Sequence, residues 1–309
     1  MSELIDKDVY AKKNKLLSYY RSRAGELISD VKKTYGEAEY KERASAVNDA
    51  VIEVKETLLK TLEQKAAKEN WSAKALLQGV LMITYTNYIV MLEARNEVWP
   101  YEYMAFARRI GELWEPFCQL CWEHPVNKDI NYFVPPLFKD VREKLAKELN
   151  DFIASLKIPS SEKAELKKYY QKVWTLVTSG EINLELDLHF KDGKTKYVVD
   201  FKSGFSSNEK GNTNRLLLVA SVYKILEEGY QCLLFVRSSE EKNNHYLQTL
   251  KKSGLWTVYC GKETYGQIKK ITGFDLSTWM EENVNWEKDF APKLYKNLKE
   301  KKLTQYLEW

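Results

Sequence analysis

The hydrophobic pattern of the chain changes at Gly180, and this change narrows the possible folds more than any other feature. Before it, apolar residues recur at helical spacing, whereas residues 181–190 alternate between polar and apolar. Asp192-Gly193 follows, and Asp-Gly between two extended segments is a strong hairpin signal. The pattern therefore predicts two antiparallel strands, 181–190 and 195–202.

The residues after the hairpin indicate a sheet that continues. A polar loop at 203–214 leads into an amphipathic segment at 215–228, which predicts a helix. Residues 230–237 form a nearly continuous apolar run, typical of a strand buried on both faces. A helix at 239–252 and a short strand at 256–260 are expected next. The order predicts a mixed α/β core with a hairpin and a helical crossover.

The remainder of the chain is predicted to be helical. Residues 1–100 contain no proline before Pro100 and carry apolar residues at helical spacing. Helices are also expected at 101–125, 138–156 and 161–178. The most apolar stretch, 75–92, includes polar residues and barely reaches membrane-spanning length, so we interpret it as a buried core helix.

Composition sets broad limits on the class of protein. The 309 residues are 44% hydrophobic, which is enough for a substantial core, and the formal net charge is only +4. This charge neither requires nor excludes a nucleic-acid partner, because DNA binding depends on local charge. The N-terminus lacks the apolar region of a signal peptide. The pair Cys118 and Cys121 is interpreted as buried thiols, so we expect a soluble protein in a reducing cytoplasm.

Pairing across the predicted hairpin defines its two faces. If Asp192 and Gly193 form the loop, Lys191 pairs with Lys194, and each further pair lies one residue farther from the loop on both strands. One face is then wholly apolar and belongs on the core: Ile182, Leu184, Leu186, Leu188, Phe190, Tyr197, Val199 and Phe201. The other face is polar apart from Val198: Glu181, Asn183, Glu185, Asp187, His189, Lys196, Asp200 and Lys202.

The polar face gathers carboxylates near one lysine. In this register Glu185 lies directly opposite Asp200, and Asp187 lies diagonally from it. Carboxylates this close repel one another unless a cation joins them. Mg²⁺ binds through one or two carboxylates plus waters and substrate phosphate. The face therefore predicts a magnesium site, with an exposed face of mixed charge as the alternative.

The segment Glu185-Leu186-Asp187 … Val199-Asp200-Phe201-Lys202 resembles the PD-(D/E)XK nuclease superfamily, and the chain as a whole resembles a type II restriction endonuclease. Asp200 and Lys202 match the family's acid-x-lysine motif, and Asp187 or Glu185 matches its first acid. Leu186 stands where proline commonly precedes that acid. The resemblance further implies a glutamate on a preceding helix, for which Glu115 is favoured over Glu112.

The resemblance implies a fold, an activity and partners. The fold is a restriction-endonuclease-like core at 101–285, preceded by a helical region at 1–100 for DNA binding or dimerisation and followed by a Lys-rich helix at 286–309. The activity is Mg²⁺-dependent cleavage of specific double-stranded DNA sites, in which Lys202 orients water or offsets charge and the products carry 5′-phosphates. A homodimer and a cognate DNA methyltransferase are implied.

The loop after the second strand supplies candidate DNA contacts through side chains that suit phosphates or base edges. These are Ser203, Ser206, Ser207, Asn208, Lys210, Asn212, Asn214 and Arg215. A plain surface loop is the alternative. Two other functions also stay open for the chain: a repair, recombination or phage-defence nuclease with the same core, and a non-catalytic helical interaction protein whose hairpin charges are incidental.

Overall fold

The computed structural model describes residues 4–177, 183–206, 209–226 and 229–309. Within these ranges the protein is α/β, with twelve α-helices and one open five-stranded mixed sheet. The chain divides into two compact units. Unit 1 combines residues 1–128 with residues 260–309, and unit 2 comprises residues 129–259.

The elements are numbered along the chain. The helices are α1 (Lys13–Thr34), α2 (Tyr40–Lys68), α3 (Ala73–Val98), α4 (Tyr103–Glu123), α5 (Phe138–Ser155), α6 (Ser160–Val177), α7 (Lys210–Ile225), α8 (His245–Lys252), α9 (Lys262–Thr272), α10 (Leu276–Asn283), α11 (Trp286–Asp289) and α12 (Pro292–Glu300). The strands are β1 (Ile130–Tyr132), β2 (Leu188–Asp192), β3 (Thr195–Lys202), β4 (Tyr230–Val236) and β5 (Trp256–Cys260).

Helix α3 is the core of unit 1, and α1 and α2 pack against it. It begins at the N-cap Ser72, whose hydroxyl accepts the Ala75 N–H. Among the described helices, only α3 is apolar and long enough to cross a membrane, but 83% of its apolar window is buried inside the protein. This burial is consistent with the core helix of a soluble protein.

The C-terminal residues complete unit 1 instead of forming the single Lys-rich helix predicted at 286–309. They form α11 and α12, and the Asp289 carboxylate accepts hydrogen bonds from Lys13 Nζ at 2.9 Å and Tyr85 Oη at 2.7 Å. The units therefore divide the chain differently from the predicted boundaries at 100 and 285. The reason is that buried polar contacts between distant parts of the sequence have no local signal.

Unit 2 contains the sheet, in the order β1-β2-β3-β4-β5. The β1–β2 and β2–β3 pairs are antiparallel, and the β3–β4 pair is parallel, with α7 as the crossover between its strands. Strand β1 was not predicted, because three residues are too few to show a period. The predicted first strand is too long: residues 183–187 are not extended in the sheet, and 181–182 lie outside the described residues.

In the hairpin, each residue of β2 pairs with the β3 residue two positions farther along the chain than predicted. Asp192 pairs with Thr195 and Leu188 pairs with Val199, so Gly193 and Lys194 form the loop. Gly193 has a φ of +58°, as the first central position of a type II′ turn requires. A shift of two keeps every side chain on its predicted face but changes its cross-strand neighbour.

Helix α7 covers the face of the hairpin that the sequence marks as polar. Its buried residues Leu216, Val219, Ala220 and Tyr223 follow one another at helical spacing. The Tyr223 ring lies 6.5 Å from the ring of His189 on β2. Beneath the helix, His189, Val198 and Asp200 are all buried. The candidate site therefore lies between a sheet and a helix.

Candidate functional site

The shifted register brings Asp187, and not Glu185, beside Asp200. Asp187 immediately precedes β2, and one further step of the β2–β3 pairing after Leu188 and Val199 sets it opposite Asp200. The Asp187 Oδ2 atom accepts the backbone N–H of Phe201 at 2.6 Å, which holds the carboxylate at this point of β3. The predicted position of Glu185 directly opposite Asp200 is therefore wrong, because the loop is formed by Gly193 and Lys194.

Asp200 is a fully buried carboxylate with two cationic partners. The Lys202 ammonium forms an ion pair with Asp200 Oδ1, and the Arg215 Nη2 donates to Asp200 Oδ2 at 3.1 Å. Lys202 Nζ also donates to the Phe201 carbonyl at 3.0 Å, and its side chain is only 19% exposed. Burying a carboxylate is costly unless cations and hydrogen bonds compensate it, so both partners stabilise Asp200.

The environment of Asp187 makes its negative charge unfavourable. Burial and the charge of Asp200 raise the pKa of Asp187 from 3.8 to about 6. The Phe201 N–H and the positive charges of Lys202 and Arg215 lower this pKa but do not offset the rise. Two adjacent acids whose charges repel each other are an arrangement that a divalent cation relieves.

The segment that carries Asp187 is fixed by residues on β2 and α7. Tyr223 Oη donates to the Leu184 carbonyl at 2.7 Å, and His189 Nε2 accepts the Leu186 N–H at 3.4 Å. Burial lowers the pKa of His189 from 6.5 to about 4, so the imidazole is neutral at physiological pH. His189 thus supports the backbone next to Asp187.

The other predicted acids are Glu185, which lies two residues before Asp187, and Glu115 and Glu112 on α4. Glu185 is exposed, its own N–H donates to Asn183 Oδ1 at 2.9 Å, and it borders a groove of about 380 Å³ that Val134 to Phe138 also line. Glu115 and Glu112 belong to α4 in unit 1. There Glu115 accepts a hydrogen bond from Gln119 at 3.3 Å, and Glu112 forms ion pairs with Arg108 and Arg109.

The loop after β3 is held by its backbone. The carbonyl of Ser203 accepts the Ser238 N–H at 3.2 Å, and Asn243 Oδ1 accepts the Phe205 N–H at 2.7 Å. A Cβ atom on Gly204 would lie 2.8 Å from Ser238 Oγ, so a larger residue here would displace the Ser238 hydroxyl. Of the predicted DNA contacts here, Ser203 is half-buried and Ser206 is exposed, whereas Ser207 and Asn208 lie outside the described residues.

The remaining predicted DNA contacts lie in the first turns of α7. Lys210 and Asn214 are exposed, and Asn212 is half-buried, where it donates to Glu209 Oε2 at 3.0 Å. Arg215 differs from them, since its guanidinium contacts Asp200. Sequence reasoning missed this contact. The available signal was Val198, an apolar residue on the polar face, which indicates that a helix covers that face.

The donor set suits a hard divalent cation. Two facing carboxylates at the ends of adjacent strands match the one or two that Mg²⁺ takes from proteins, with waters and phosphate completing its shell. Among the described residues, no group of three or more His, Cys, Asp or Glu side chains is arranged to hold a metal ion. Cys118 and Cys121 are buried thiols, as predicted. A site for Mg²⁺ on this chain would therefore rest on Asp187 and Asp200.

Comparison with known proteins found no relative of this chain. No protein-family model, curated protein or solved structure matches the chain. The function is therefore inferred from the geometry around Asp187 and Asp200 and from the motif that contains them.

Proposed function

We propose that this chain is a Mg²⁺-dependent DNA endonuclease of the PD-(D/E)XK type. One observation carries the proposal: Asp187 accepts the N–H of Phe201, the residue between Asp200 and Lys202, so the two acids and the lysine of the motif meet in space. Burial together with neighbouring charge is an arrangement that active sites use to shift pKa values, and a row of exposed surface charges lacks it.

In this proposal Asp187 and Asp200 hold the metal. When bound, Mg²⁺ supplies a Lewis acid for the phosphate oxygens and lowers the pKa of water. Asp187 presents an ionised carboxylate above pH 6, consistent with its raised pKa of about 6. The two carboxylates would fix the position of the metal beside β3 and Lys202.

Lys202 has the role of the motif lysine. Its side chain is largely buried and its ammonium is held between Asp200 and the Phe201 carbonyl, so it is fixed without a substrate. A fixed positive charge at this position offsets the negative charge on the phosphoryl oxygens in the transition state and orients the attacking water. Hydrolysis in line with the 3′-oxygen leaves a 5′-phosphate.

The finer form of the proposal is a site-specific restriction endonuclease with a restriction-endonuclease-like core, acting in the cytoplasm beside a cognate DNA methyltransferase. A homodimer follows from the two-fold symmetry of palindromic targets. Glu115 is proposed as a further acid, and Glu185 as an outer-shell or second-metal group. A repair, recombination or defence nuclease is the alternative within the same chemistry.

The test is cleavage of a sequenced phage genome and of a supercoiled plasmid with Mg²⁺, Mn²⁺, Ca²⁺ or EDTA. We expect cutting with Mg²⁺ or Mn²⁺ and not with EDTA. Mapped ends that share one sequence support a restriction enzyme, whereas unrelated ends favour the alternative nuclease. No cleavage of any duplex or single-stranded DNA with either metal would instead support the non-catalytic interaction protein.

Variants link the cleavage to the site. Lys202→Ala and Asp200→Asn should each lower the cleavage rate at least about a thousandfold, since each removes a charge used in the transition state. Asparagine is preferred to alanine at 200, because this side chain is buried and alanine would leave a void beside Arg215. Lys224→Ala, at an exposed position in the last turn of α7, is the matched control and should retain cleavage.

A further inference from the structure

Arg215 gives the candidate site a second cation whose setting differs from that of Lys202. Both residues contact the buried Asp200 carboxylate, Lys202 at Oδ1 and Arg215 at Oδ2. The side chain of Arg215 is 43% exposed, compared with 19% for Lys202. Its Nε donates to Asn212 Oδ1 only over a long 3.4 Å. Arg215 is therefore the partner of Asp200 that is free to turn toward solvent.

Charge balance indicates that one of the two cations changes partner when a metal binds. The carboxylates of Asp187 and Asp200 carry two negative charges, which Lys202 and Arg215 match. A divalent cation between the carboxylates brings two further positive charges to the same small volume and repels the cations already there. A phosphodiester adds one negative charge at this point and provides a new acceptor.

We propose that Arg215 is a placeholder for the metal: it neutralises Asp200 in the metal-free enzyme and transfers to a non-bridging phosphate oxygen when metal and DNA bind. This inference rests on the proposed nuclease function and adds a positioning residue to it. Arginine suits the second position because its planar guanidinium binds phosphate through two parallel hydrogen bonds. Lys202 stays on Asp200 and the Phe201 carbonyl, as its burial requires.

The inference predicts that removing the Arg215 side chain changes metal binding and DNA binding in opposite directions. Without DNA, Arg215 competes with the metal for Asp200, so its removal should tighten metal binding. With metal present, Arg215 contacts the DNA backbone, so its removal should weaken DNA binding. A residue that only kept Asp200 in place would weaken metal binding when removed, and an ordinary backbone contact would act on DNA regardless of metal.

The experiment measures Mn²⁺ binding by calorimetry without DNA, and duplex binding by fluorescence anisotropy over a salt series with Ca²⁺ or with EDTA. Arg215→Ala should bind Mn²⁺ roughly threefold to fivefold more tightly than wild type, which is the scale of a half-exposed ion pair. With Ca²⁺, the slope of log Kd against log salt should fall by about 0.9, because one phosphate contact is lost. With EDTA, the slope should be the same as for the wild-type protein.

Two further variants make the outcome decisive. Lys210→Ala should change the salt slope equally with Ca²⁺ and with EDTA, because Lys210 does not contact Asp200. Arg215→Lys, which keeps the charge but loses the planar fork, should bind Mn²⁺ within about twofold of wild type and lose DNA affinity only with Ca²⁺. This variant carries the test if circular dichroism shows that Arg215→Ala is unfolded.

Weaker Mn²⁺ binding by Arg215→Ala, or an equal fall of its salt slope with EDTA and with Ca²⁺, overturns the placeholder role. In that case, cleavage of DNA by the wild-type protein with Mg²⁺ would still support the proposed nuclease function. Wild-type protein that neither binds Mn²⁺ nor cleaves DNA refutes the nuclease proposal and this inference together.

Discussion

At the scale of single residues, the first acid of the motif is the point on which the sequence was ambiguous. The structure sets Asp187 against the Phe201 N–H and leaves Glu185 exposed. We therefore expect Asp187→Asn to remove nearly all Mg²⁺-dependent cleavage, about a thousandfold or more, and Glu185→Gln to leave a measurable rate. Titration of Mg²⁺ and Mn²⁺ against both variants checks this. A dead Glu185→Gln beside an active Asp187→Asn would exchange the two assignments.

The raised pKa of Asp187 has a consequence for stability as well. A carboxyl whose pKa rises from 3.8 in the unfolded chain to about 6 in the fold favours folding below pH 3.8 and loses that contribution as the pH rises through 6. In EDTA, Asp187→Asn should therefore raise the free energy of unfolding by about 1–3 kcal/mol at pH 7.5. The gain should shrink toward pH 4.

Urea unfolding at the two pH values measures this gain. Glu185→Gln is the matched control, since an exposed carboxylate is replaced and the change should stay below about 0.5 kcal/mol. Equal or lower stability of Asp187→Asn at pH 7.5 would show that the carboxylate is not strained by burial. Together with lost cleavage, a stability gain would mark a residue retained for chemistry.

At the scale of elements, the sequence predicted the faces of the hairpin but not its partners. Alternation fixes which side of the sheet a residue faces, so Leu188, Phe190 and Val199 are buried as expected. A turn at Asp192-Gly193 and a turn at Gly193-Lys194 give the same alternation of faces. They differ in that each cross-strand partner is shifted by two residues. Only packing against α7 and β4 selects between them, and this information is not local.

The support of residues 184–187 by α7 can be tested with one hydroxyl group. Tyr223→Phe removes the hydrogen bond to the Leu184 carbonyl and should cost about 1 kcal/mol of stability. Because Asp187 is the last residue of this segment, we also expect faster amide hydrogen exchange at 184–187 and a lower kcat, with DNA affinity in Ca²⁺ unchanged.

Tyr230→Phe provides the comparison for Tyr223→Phe. The two rings lie 4.9 Å apart, but the Tyr230 hydroxyl accepts from Lys196 Nζ at 3.4 Å and does not contact the Leu184 carbonyl. We expect exchange at 184–187 to be unchanged in this variant. Similar exchange in both variants would mean that the segment is held by ring packing and not by the hydroxyl.

At the scale of the whole molecule, the C-terminal residues are predicted to stabilise the N-terminal helices. Asp289 is buried and accepts hydrogen bonds from Lys13 and Tyr85, which lie on α1 and α3. Asp289→Ala leaves both donors without this acceptor and should lower the free energy of unfolding by about 2–4 kcal/mol. Thermal and urea unfolding measure the loss.

Glu282→Ala, on the exposed surface of α10, should change stability by less than about 0.5 kcal/mol. If Asp289→Ala is equally harmless, residues 286–309 do not stabilise the N-terminal helices through Asp289. Sedimentation of the wild-type protein tests the expected homodimer independently, and a monomer both free and on DNA would oppose it.

The order of the two units along the chain has a consequence for synthesis on the ribosome. Unit 2 is continuous from residue 129 to residue 259, whereas unit 1 cannot gain the partner of Lys13 and Tyr85 until residue 289 has been made. Helices α1 to α3 can pack against one another before then, but Lys13 and Tyr85 lack this acceptor while roughly 190 residues after α3 are translated, which takes about 10–40 s at 5–20 residues per second. We expect the nascent chain to expose the surface of α3 around Tyr85 during this interval and to engage chaperones there. Unit 2 would meanwhile complete its sheet around Asp187 and Asp200.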